Sequence, residues 1–489
     1  MRSNGKLDRF VVIGGGISGL SSAFYLAKEA ELRGREAHIT VVDPSERIGG
    51  KINTLRKDGF VIEKGPDSFL ARKTPIIDLA FDLGIQDELT GTNPAAKKTY
   101  ILHRGKLHPM PPGLVLGIPT EIMPFAKTSL LSWGGKLRAM LDFVLPASKA
   151  EGDESVGEFL SRRVGPEVME RIAEPLLAGI YAGDLSKLSL QSTFPQFREA
   201  EREHGSLIRG TRASKRKGAA APAAPNRLPE KLRRSMFLTF KNGLSTMLEA
   251  LTEALSEAGA ESRFGLKAVA FRDNEPGEGQ GTATYEVLLS DGEILEADGI
   301  VITSPAFNAA DLLEPHLQVD ALRAIHYVSV ANVVMAFDKA SFGIDFDGSG
   351  FVVPRSEGTT ITACTWTSSK WLHASPGDKV LLRCYVGRAN DEEVVDLPDA
   401  ELEEAVRRDI RNVLGITAVP LFTEITRLHR SMPQYPVGHL QATAELRSRL
   451  RKEMPGVWVT GAAFDGVGLP DCIRQGKEAA AIVYDAVNK

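Results

Sequence analysis

The chain has 489 residues, 43% of them apolar and 25% charged, with a formal net charge of −4. That length predicts two or three domains with sizeable cores, and the composition is that of an ordinary soluble globular protein. Cys364, Cys384 and Cys472 are the only cysteines and show no CxxC spacing. Neither a disulfide framework nor a structural zinc site is expected, and a reducing, cytoplasmic setting is the default. The histidines form no HExxH or paired-ligand spacing, and no serine sits in a G-x-S-x-G elbow. Metal and hydrolase readings are therefore poor, and no bound metal is expected.

The first motif lies at the N-terminus. Arg9-Phe10-Val11-Val12-Ile13 predicts a buried parallel strand, and a helix begins near Ser18. Between them stand Gly14, Gly15, Gly16, Ile17, Ser18 and Gly19. Gly14 suits a tight turn, Gly16 lets backbone approach a pyrophosphate, and Gly19 permits close helix–strand packing. The helix N-terminus favours the diphosphate charge. His38 to Val42 predicts a second strand ending at Asp43, 24 residues beyond Gly19 (43 − 19), where a carboxylate accepts ribose hydroxyls. A glycine fingerprint alone describes a plain turn equally well; strand, helix, strand and acidic end in register point to a nucleotide. Phe10 to Ala27 also forms 18 residues without a charge, near the limit for a membrane span. Three consecutive glycines break any helix there, so neither a span nor a signal peptide is read.

The residues past Asp43 choose among nucleotides. A glycine pair, Gly49-Gly50, is flanked by Arg47 and Lys51, and Gly65, Pro66, Asp67 and Ser68 follow a short hairpin-like segment. The pair resembles the second phosphate contact of amine-oxidase-like flavoproteins; the alternative is a surface turn with two solvated cations. Near the C-terminus, Val457 to Gly461 predicts another strand, followed by Asp465-Gly466-Val467-Gly468-Leu469-Pro470 and a last helix. That segment suits closure over an isoalloxazine ring.

Between the two ends the pattern changes repeatedly. Helical and Pro-rich sequence runs from about Leu70 to Gln196, and Gly243 to Glu257 predicts an amphipathic helix. Strand signals return at Leu266 to Phe271, Tyr285 to Leu289 and Ile300 to Thr303, then dominate from Val328 to Tyr385. The nucleotide domain is thus expected to be threaded three times. Pro109 to Phe125 is apolar with Glu121 as its single charge, and three readings stay open: a pocket entry, a membrane contact or a buried loop. His204 to Ser235 carries nine Lys/Arg against one acidic residue. Within it, Arg212 to Arg216 and the Ala219 to Pro225 tract read as a solvated, low-complexity loop. The sharper alternative is a polybasic arm that steers an acidic substrate or meets anionic lipid. Without interleaved aromatics or a recognisable module, nucleic acid is not an expected partner.

Further segments carry a family resemblance. Gly65-Pro66-Asp67-Ser68-Phe69, Glu174 to Gly183, Ser192 to Phe197, Thr362 to Trp366, Met432 to Tyr435 and Gly466 to Ile473 together resemble the porphyrinogen oxidases of haem biosynthesis. The likeness is strongest to the soluble bacterial type that acts on coproporphyrinogen III. It implies an α/β fold with a discontinuous Rossmann-like FAD-binding domain, an inserted mixed-sheet substrate domain and an inserted helical domain. The expected division is 8–76 with 237–312 and 454–489 for FAD, 77–91 with 195–236 and 313–453 for substrate, and 92–194 for the helices. The resemblance maps FAD contacts onto Gly14 to Gly19, Asp43, Pro44, Arg47, Gly50, Lys51, Gly65 to Ser68, Val269, Val467, Gly468 and Leu469. Val269 would hold the adenine through its backbone. The last helix would aim its N-terminus at the reducible edge of the flavin.

The chemistry so implied is oxidation of coproporphyrinogen III to coproporphyrin III by hydride transfer to flavin, with O2 as acceptor and hydrogen peroxide as product. The cofactor carries the hard step, so no acid–base dyad is required and no catalytic side chain is assigned. Lys73, with Lys97 and Lys98 as further candidates, would meet substrate propionates, and Ile180 would give an apolar wall. Asp67 departs from the plant and animal relatives, which puts their ring-contact geometry in doubt here. Other expected partners are a ferrochelatase receiving the product and, at most, the inner membrane surface. The alternatives are a protoporphyrinogen oxidase, an amine oxidase or carotenoid-type desaturase, and a non-catalytic flavin-bearing porphyrin carrier.

Overall fold

The computed structural model describes residues 7–220, 227–274 and 283–488. Its organising element is a five-stranded parallel sheet in the order Glu261–Phe264, Ala37–Asp43, Asp8–Ile13, Gly299–Ile302, Val457–Val459. Asp8–Ile13 is nearly continuous in apolar residues because both its faces are covered. Phe10 and Val12 join a core with the helices Ile17–Leu32, Ser245–Glu257 and Leu469–Val487. Val11 and Ile13 join the opposite core, under the antiparallel strands Ala268–Asp273, Tyr285–Leu289 and Ile294–Ala297. The sheet collects strands from three separate parts of the chain, as the sequence pattern predicts.

A second, seven-stranded sheet runs Phe422–Gln434, His326–Asp338, Lys379–Val386, Ile361–Trp366, Gly348–Val352, Lys98–His103, Lys106–Pro109. One side packs on the helix Asp399–Leu414 through Leu402, Val406 and Ile410. Against Val334, Ala336 and Leu381 lie Phe60 and Ile62 of the hairpin Thr54–Lys57/Phe60–Glu63. That packing delivers the segment after the hairpin, residues 64–68, to the sheet. Residues 98–109, expected among helices, instead pair into this sheet: Lys98–His103 runs parallel to Gly348–Val352. Hydrogen bonding to a distant strand overrides the local Pro-rich signal there.

Helices form the third part. Val156–Val164, Glu174–Tyr181 and Pro195–His204 share one apolar core. A fully buried Arg163 crosses it, donating to Asp142 Oδ1 at 2.6 Å, to Glu201 at 3.3 Å and to the carbonyls of Pro146 and Gly205. Burying such charges is tolerable because each meets a counter-charge and hydrogen bonds. The basic stretch differs from its expected loop: Arg212 to Arg216 lie within the helix Leu207–Ala220. Leu207, Ile208 and Thr211 form its buried face, while Arg209, Lys215, Arg216 and Lys217 are exposed. An amphipathic face thus outweighs the low-complexity composition. Of the Ala/Pro tract, Ala219 and Ala220 end this helix, and residues 221–226 lie outside the described residues. Among the described residues, no helix is long and apolar enough to cross a membrane.

Candidate functional site

The glycine turn closes the carboxyl end of the first strand. Gly14 has φ +119°, and a Cβ there would stand 2.4 Å from Thr303 Oγ1. At Gly19 a Cβ would fall 1.8 Å from the Gly14 carbonyl oxygen, so close packing of helix on turn requires glycine. A Cβ on Gly16 would meet nothing within 4 Å: open space lies before it. The helix Ile17–Leu32 starts at Gly16 without a side-chain cap, leaving first-turn N–H groups and the positive dipole end to face that space. Such an end is an anion site.

The second glycine pair is bonded to the first. Gly49 N–H donates to the Gly15 carbonyl at 2.8 Å, and a Gly50 Cβ would stand 3.3 Å from Gly16 Cα. Arg47 curls over this loop, donating to the carbonyls of Ile48, Gly50 and Ile52 at 3.2, 2.6 and 2.8 Å. Its guanidinium therefore shapes the turn, which a solvated surface cation would not do. Asp43 accepts from Gly15 N–H at 2.7 Å and from Ser45 N–H at 2.8 Å, one on each oxygen. Each oxygen keeps a lone pair for a ribose hydroxyl. Pro44 is exposed just beyond. Lys51 donates to the Ser431 carbonyl; its side chain is open to solvent, yet desolvation by the surrounding protein lowers its pKa.

The C-terminal segment meets the same place. In the helix Leu469–Val487, a Gly476 Cβ would stand 2.8 Å from the Ser18 carbonyl, so the early turns of the first and last helices touch. This helix also begins without a side-chain cap, at Gly468. Gly466 has φ +105°, and its N–H donates at 3.1 Å to the Tyr435 hydroxyl, which itself donates to Ala462 at 2.6 Å. Val467 packs on the helical core, and Lys73 pairs with Asp471 in the first turn of the last helix.

The Gly65 to Ser68 loop is held from the seven-stranded sheet. A Gly65 Cβ would strike the Lys51 carbonyl at 1.8 Å, which sets this loop directly on the glycine-pair loop. Asn332 donates to the Lys64 carbonyl at 3.0 Å, and Arg383 donates to the Gly65 carbonyl. Asp67 accepts from Ser68 at 2.7 Å and from Lys370 at 3.2 Å. Burial would raise the Asp67 carboxyl, but Lys370 and Arg383 outweigh it and hold the group well below the usual carboxylate range.

Comparison with known proteins decides the family. Residues 17–484 match the flavin containing amine oxidoreductase family. This chain belongs to that family. Coproporphyrinogen III oxidase of Bacillus subtilis is 45% identical over 98% of this chain and 98% of its own. Coproporphyrinogen III oxidase of Staphylococcus aureus is 41% identical over 96% and 97%. A crystal structure from Exiguobacterium sp. 255-15, whose proposed assignment is protoporphyrinogen oxidase, superposes with a TM-score of 0.83 at 35% identity over 98% of both chains.

The protein is thus a flavin-dependent oxidoreductase, and its residues fit the cofactor. Two uncapped helix starts and the open space at Gly16 face one region. The hydroxyls of Ser304 and Thr460, just past the carboxyl ends of two parallel strands, have no partner among the described residues. Ligands of open parallel sheets bind at those ends. The ladder between Ala268–Asp273 and Tyr285–Leu289 shifts register between Ala268 and Ala270, so Val269 is left out of the pairing. Val269 is exposed at this bulge on an edge strand, where a ligand can reach its backbone.

The candidate substrate residues separate. Lys73 sits beside the Val467 to Leu469 segment through its bond to Asp471. Lys97 is exposed, and Lys98, 59% exposed, is held on the sheet surface by Asp347 at 2.6 Å. Ile180 is 41% exposed on the helix Glu174–Tyr181, next to Tyr181, which stacks edge-on against Tyr435. Sequence reasoning missed Asn332, Lys370 and Arg383. Asn332 and Arg383 carried a signal: each is a polar residue inside an otherwise apolar strand run, the kind of buried polar group that needs a reason.

Proposed function

We propose that this flavoprotein oxidises coproporphyrinogen III to coproporphyrin III, removing six electrons in three two-electron rounds, with O2 as acceptor and hydrogen peroxide as product. The observation that carries this reading is the 45% identity with the Bacillus subtilis coproporphyrinogen III oxidase across 98% of both chains. Bound FAD would supply two-electron acceptance, held by Gly14 to Gly19, Asp43, the Gly49-Gly50 turn, Gly65 to Ser68, Val269 and Val467 to Leu469. The protein's part is to bind, orient and exclude water. Lys73 would exchange its Asp471 partner for a propionate, and Ile180 would offer apolar surface.

Anaerobic mixing of the holoprotein with coproporphyrinogen III and, separately, protoporphyrinogen IX tests the proposal. Faster loss of oxidised-flavin absorbance with the four-propionate substrate supports it. Preference for the two-vinyl substrate moves the protein to the protoporphyrinogen class, the assignment offered for the Exiguobacterium structure. Binding without bleaching would make it a carrier, and loss of both leaves amine or desaturase substrates.

The proposal extends to where the protein works. Trp133, Leu137, Leu141 and Val144 are exposed at helical spacing, with Ile122 and Met123 exposed nearby in sequence. Cations adjoin them: Lys136 lies over the Trp133 ring, Arg209 over Phe143, and Lys215 pairs with Glu121. Apolar side chains with an interfacial tryptophan and a basic border suit peripheral contact with an anionic membrane. A ferrochelatase would take the porphyrin onward. Co-sedimentation with anionic vesicles, reduced in Trp133→Ser, is the expected result; equal binding to neutral vesicles would count against it.

A further inference from the structure

A small cavity of about 20 Å³ lies behind the Gly65 to Ser68 loop, between the hairpin and the seven-stranded sheet. Its lining includes Glu63, Asp67, Thr239, Trp371, His373 and Arg383. Three of these side chains are buried and under-bonded. Arg383 is 4% exposed and its Nε and Nη1 have no partner among the described residues; Trp371 and Thr239 are each 3% exposed, and their Nε1 and Oγ1 likewise have none there. Left dry, each of these four atoms would carry the desolvation penalty of an unmade hydrogen bond. The volume suits a single water, which needs roughly 10–15 Å³ and two to four polar partners. Two carboxylates in the lining disfavour an anion, and the N–H groups of Arg383 and Trp371 disfavour a cation.

Glu63 is the other unusual member. Its carboxylate accepts from Leu244 N–H at 2.6 Å and Thr54 Oγ1 at 2.9 Å, and burial nonetheless raises its pKa to about 7. Arg383 opposes that rise and Asp67 adds to it; His373 also faces the cavity, while neighbouring Lys64 is neutralised by Glu424. Lys370 acts on Asp67, which stays ionised.

We propose that Glu63 is the proton store of the flavin site, exchanging protons with the Asp67 loop through a water seated among Arg383, Trp371 and Thr239. The role rests on the oxidase reading above. Each round removes a hydride from a bridging carbon and a proton from a pyrrole N–H. The hydride goes to the flavin, and the proton joins the Glu63 carboxylate. When O2 arrives it takes the hydride's two electrons and proton, and the stored proton completes hydrogen peroxide. Two half-reactions separated in time leave one proton per round needing a place, and a carboxyl that titrates near neutrality supplies it.

Reduced-minus-oxidised infrared difference spectra of the holoprotein test this. Photochemical reduction needs no porphyrinogen: the sacrificial donor supplies the electrons and solvent supplies the proton that Glu63 takes up, so the outcome is independent of the proposed substrate. Reduction near neutral pH should produce the C=O stretch of a neutral carboxyl, which disappears on admitting air. Glu63→Gln, whose carbonyl oxygen still accepts from Leu244 N–H while its amide can donate to the Thr54 hydroxyl, should abolish the band; Asp67→Asn should retain it; Trp371→Phe should shift it by removing one donor to the water. No band in wild type, or a band surviving in Glu63→Gln, overturns the proposal. A chloride-dependent change in flavin absorbance that Trp371→Phe removes would also overturn it, by making the cavity an anion site. With a porphyrinogen that reduces the flavin, the near-neutral limb of the rate–pH profile should vanish in Glu63→Gln, and its persistence counts against the role.

Discussion

Arg383 and Gly65 stand 318 residues apart in sequence, yet the guanidinium of one donates to the carbonyl of the other. That bond ties the middle of the seven-stranded sheet to the loop resting on the glycine pair. Arg383→Ala should leave Asp67 with Lys370 as its main counter-charge and release the loop. We expect a loss of stability of about 3 kcal/mol, in the range for breaking a buried pair. Flavin should be lost on ultrafiltration of the variant and retained by wild type. Equal flavin retention would remove the bond from cofactor binding.

Two glycines of the first turn should fail differently. Gly16 has open space before it, so Gly16→Val should fold with native circular dichroism yet lose its yellow colour. Gly19 has none, so even Gly19→Ala should destabilise the fold, because a methyl would lie 1.8 Å from a carbonyl oxygen. Small core overpacking costs about 1–3 kcal/mol, and this site should exceed that because the obstacle is backbone. Urea midpoints and flavin content, measured together, separate the two effects. A yellow Gly16→Val would refute the pyrophosphate placement.

Glu63 gives a pH dependence whose sign is fixed by its environment. Burial raises its folded pKa from 4.5 to about 7, so the folded chain holds a proton that the unfolded chain has released. Stability from this group is full below the unfolded value and falls as pH rises through the folded one. Across that window the loss is about 3 kcal/mol. Denaturant midpoints of wild type should therefore decline between those pH values more steeply than those of Glu63→Gln. Parallel curves would show that the carboxyl ionises freely.

Lys73 and Asp471 set a competition at the flavin end of the last helix. Lys73→Glu faces Asp471 with a second carboxylate and removes a candidate propionate partner. The expected result is a rise in KM of roughly ten- to a hundredfold with a smaller fall in kcat, since a charge-assisted bond contributes about 1.5–3 kcal/mol. Steady-state kinetics with coproporphyrinogen III decide it. Unchanged constants would exclude Lys73 from the substrate site.

What could be read in the sequence follows from how local each signal is. The turn from Gly14 to Gly19, the strand ending at Asp43 and the hairpin before Gly65 depend on neighbours in sequence, and the structure forms all three. Arg383, Lys370 and Asn332 act on a loop hundreds of residues away, so no spacing rule reaches them. Residues 98–109 became strands because Gly348–Val352 offered an edge, a non-local cause. Arg212 to Arg216 were misread for the opposite reason: composition hid a short apolar face at Leu207, Ile208 and Thr211. Lys73 pairs with Asp471 in the first turn of the last helix, whereas Lys98 pairs with Asp347 on the sheet surface.

The parallel sheet has a further consequence for synthesis. Asp8–Ile13 and Val457–Val459, separated by more than four hundred residues (457 − 13), flank the same strand, Gly299–Ile302. A ribosome-bound chain can form the glycine turn at Gly14 to Gly19 early, but the wall that closes the cofactor site is made only after Val457–Val459 has emerged. Flavin capture therefore reports that both flanks of Gly299–Ile302 are in place: a chain cut between them stays colourless and exposes unpaired sheet edge to the cell's proteases.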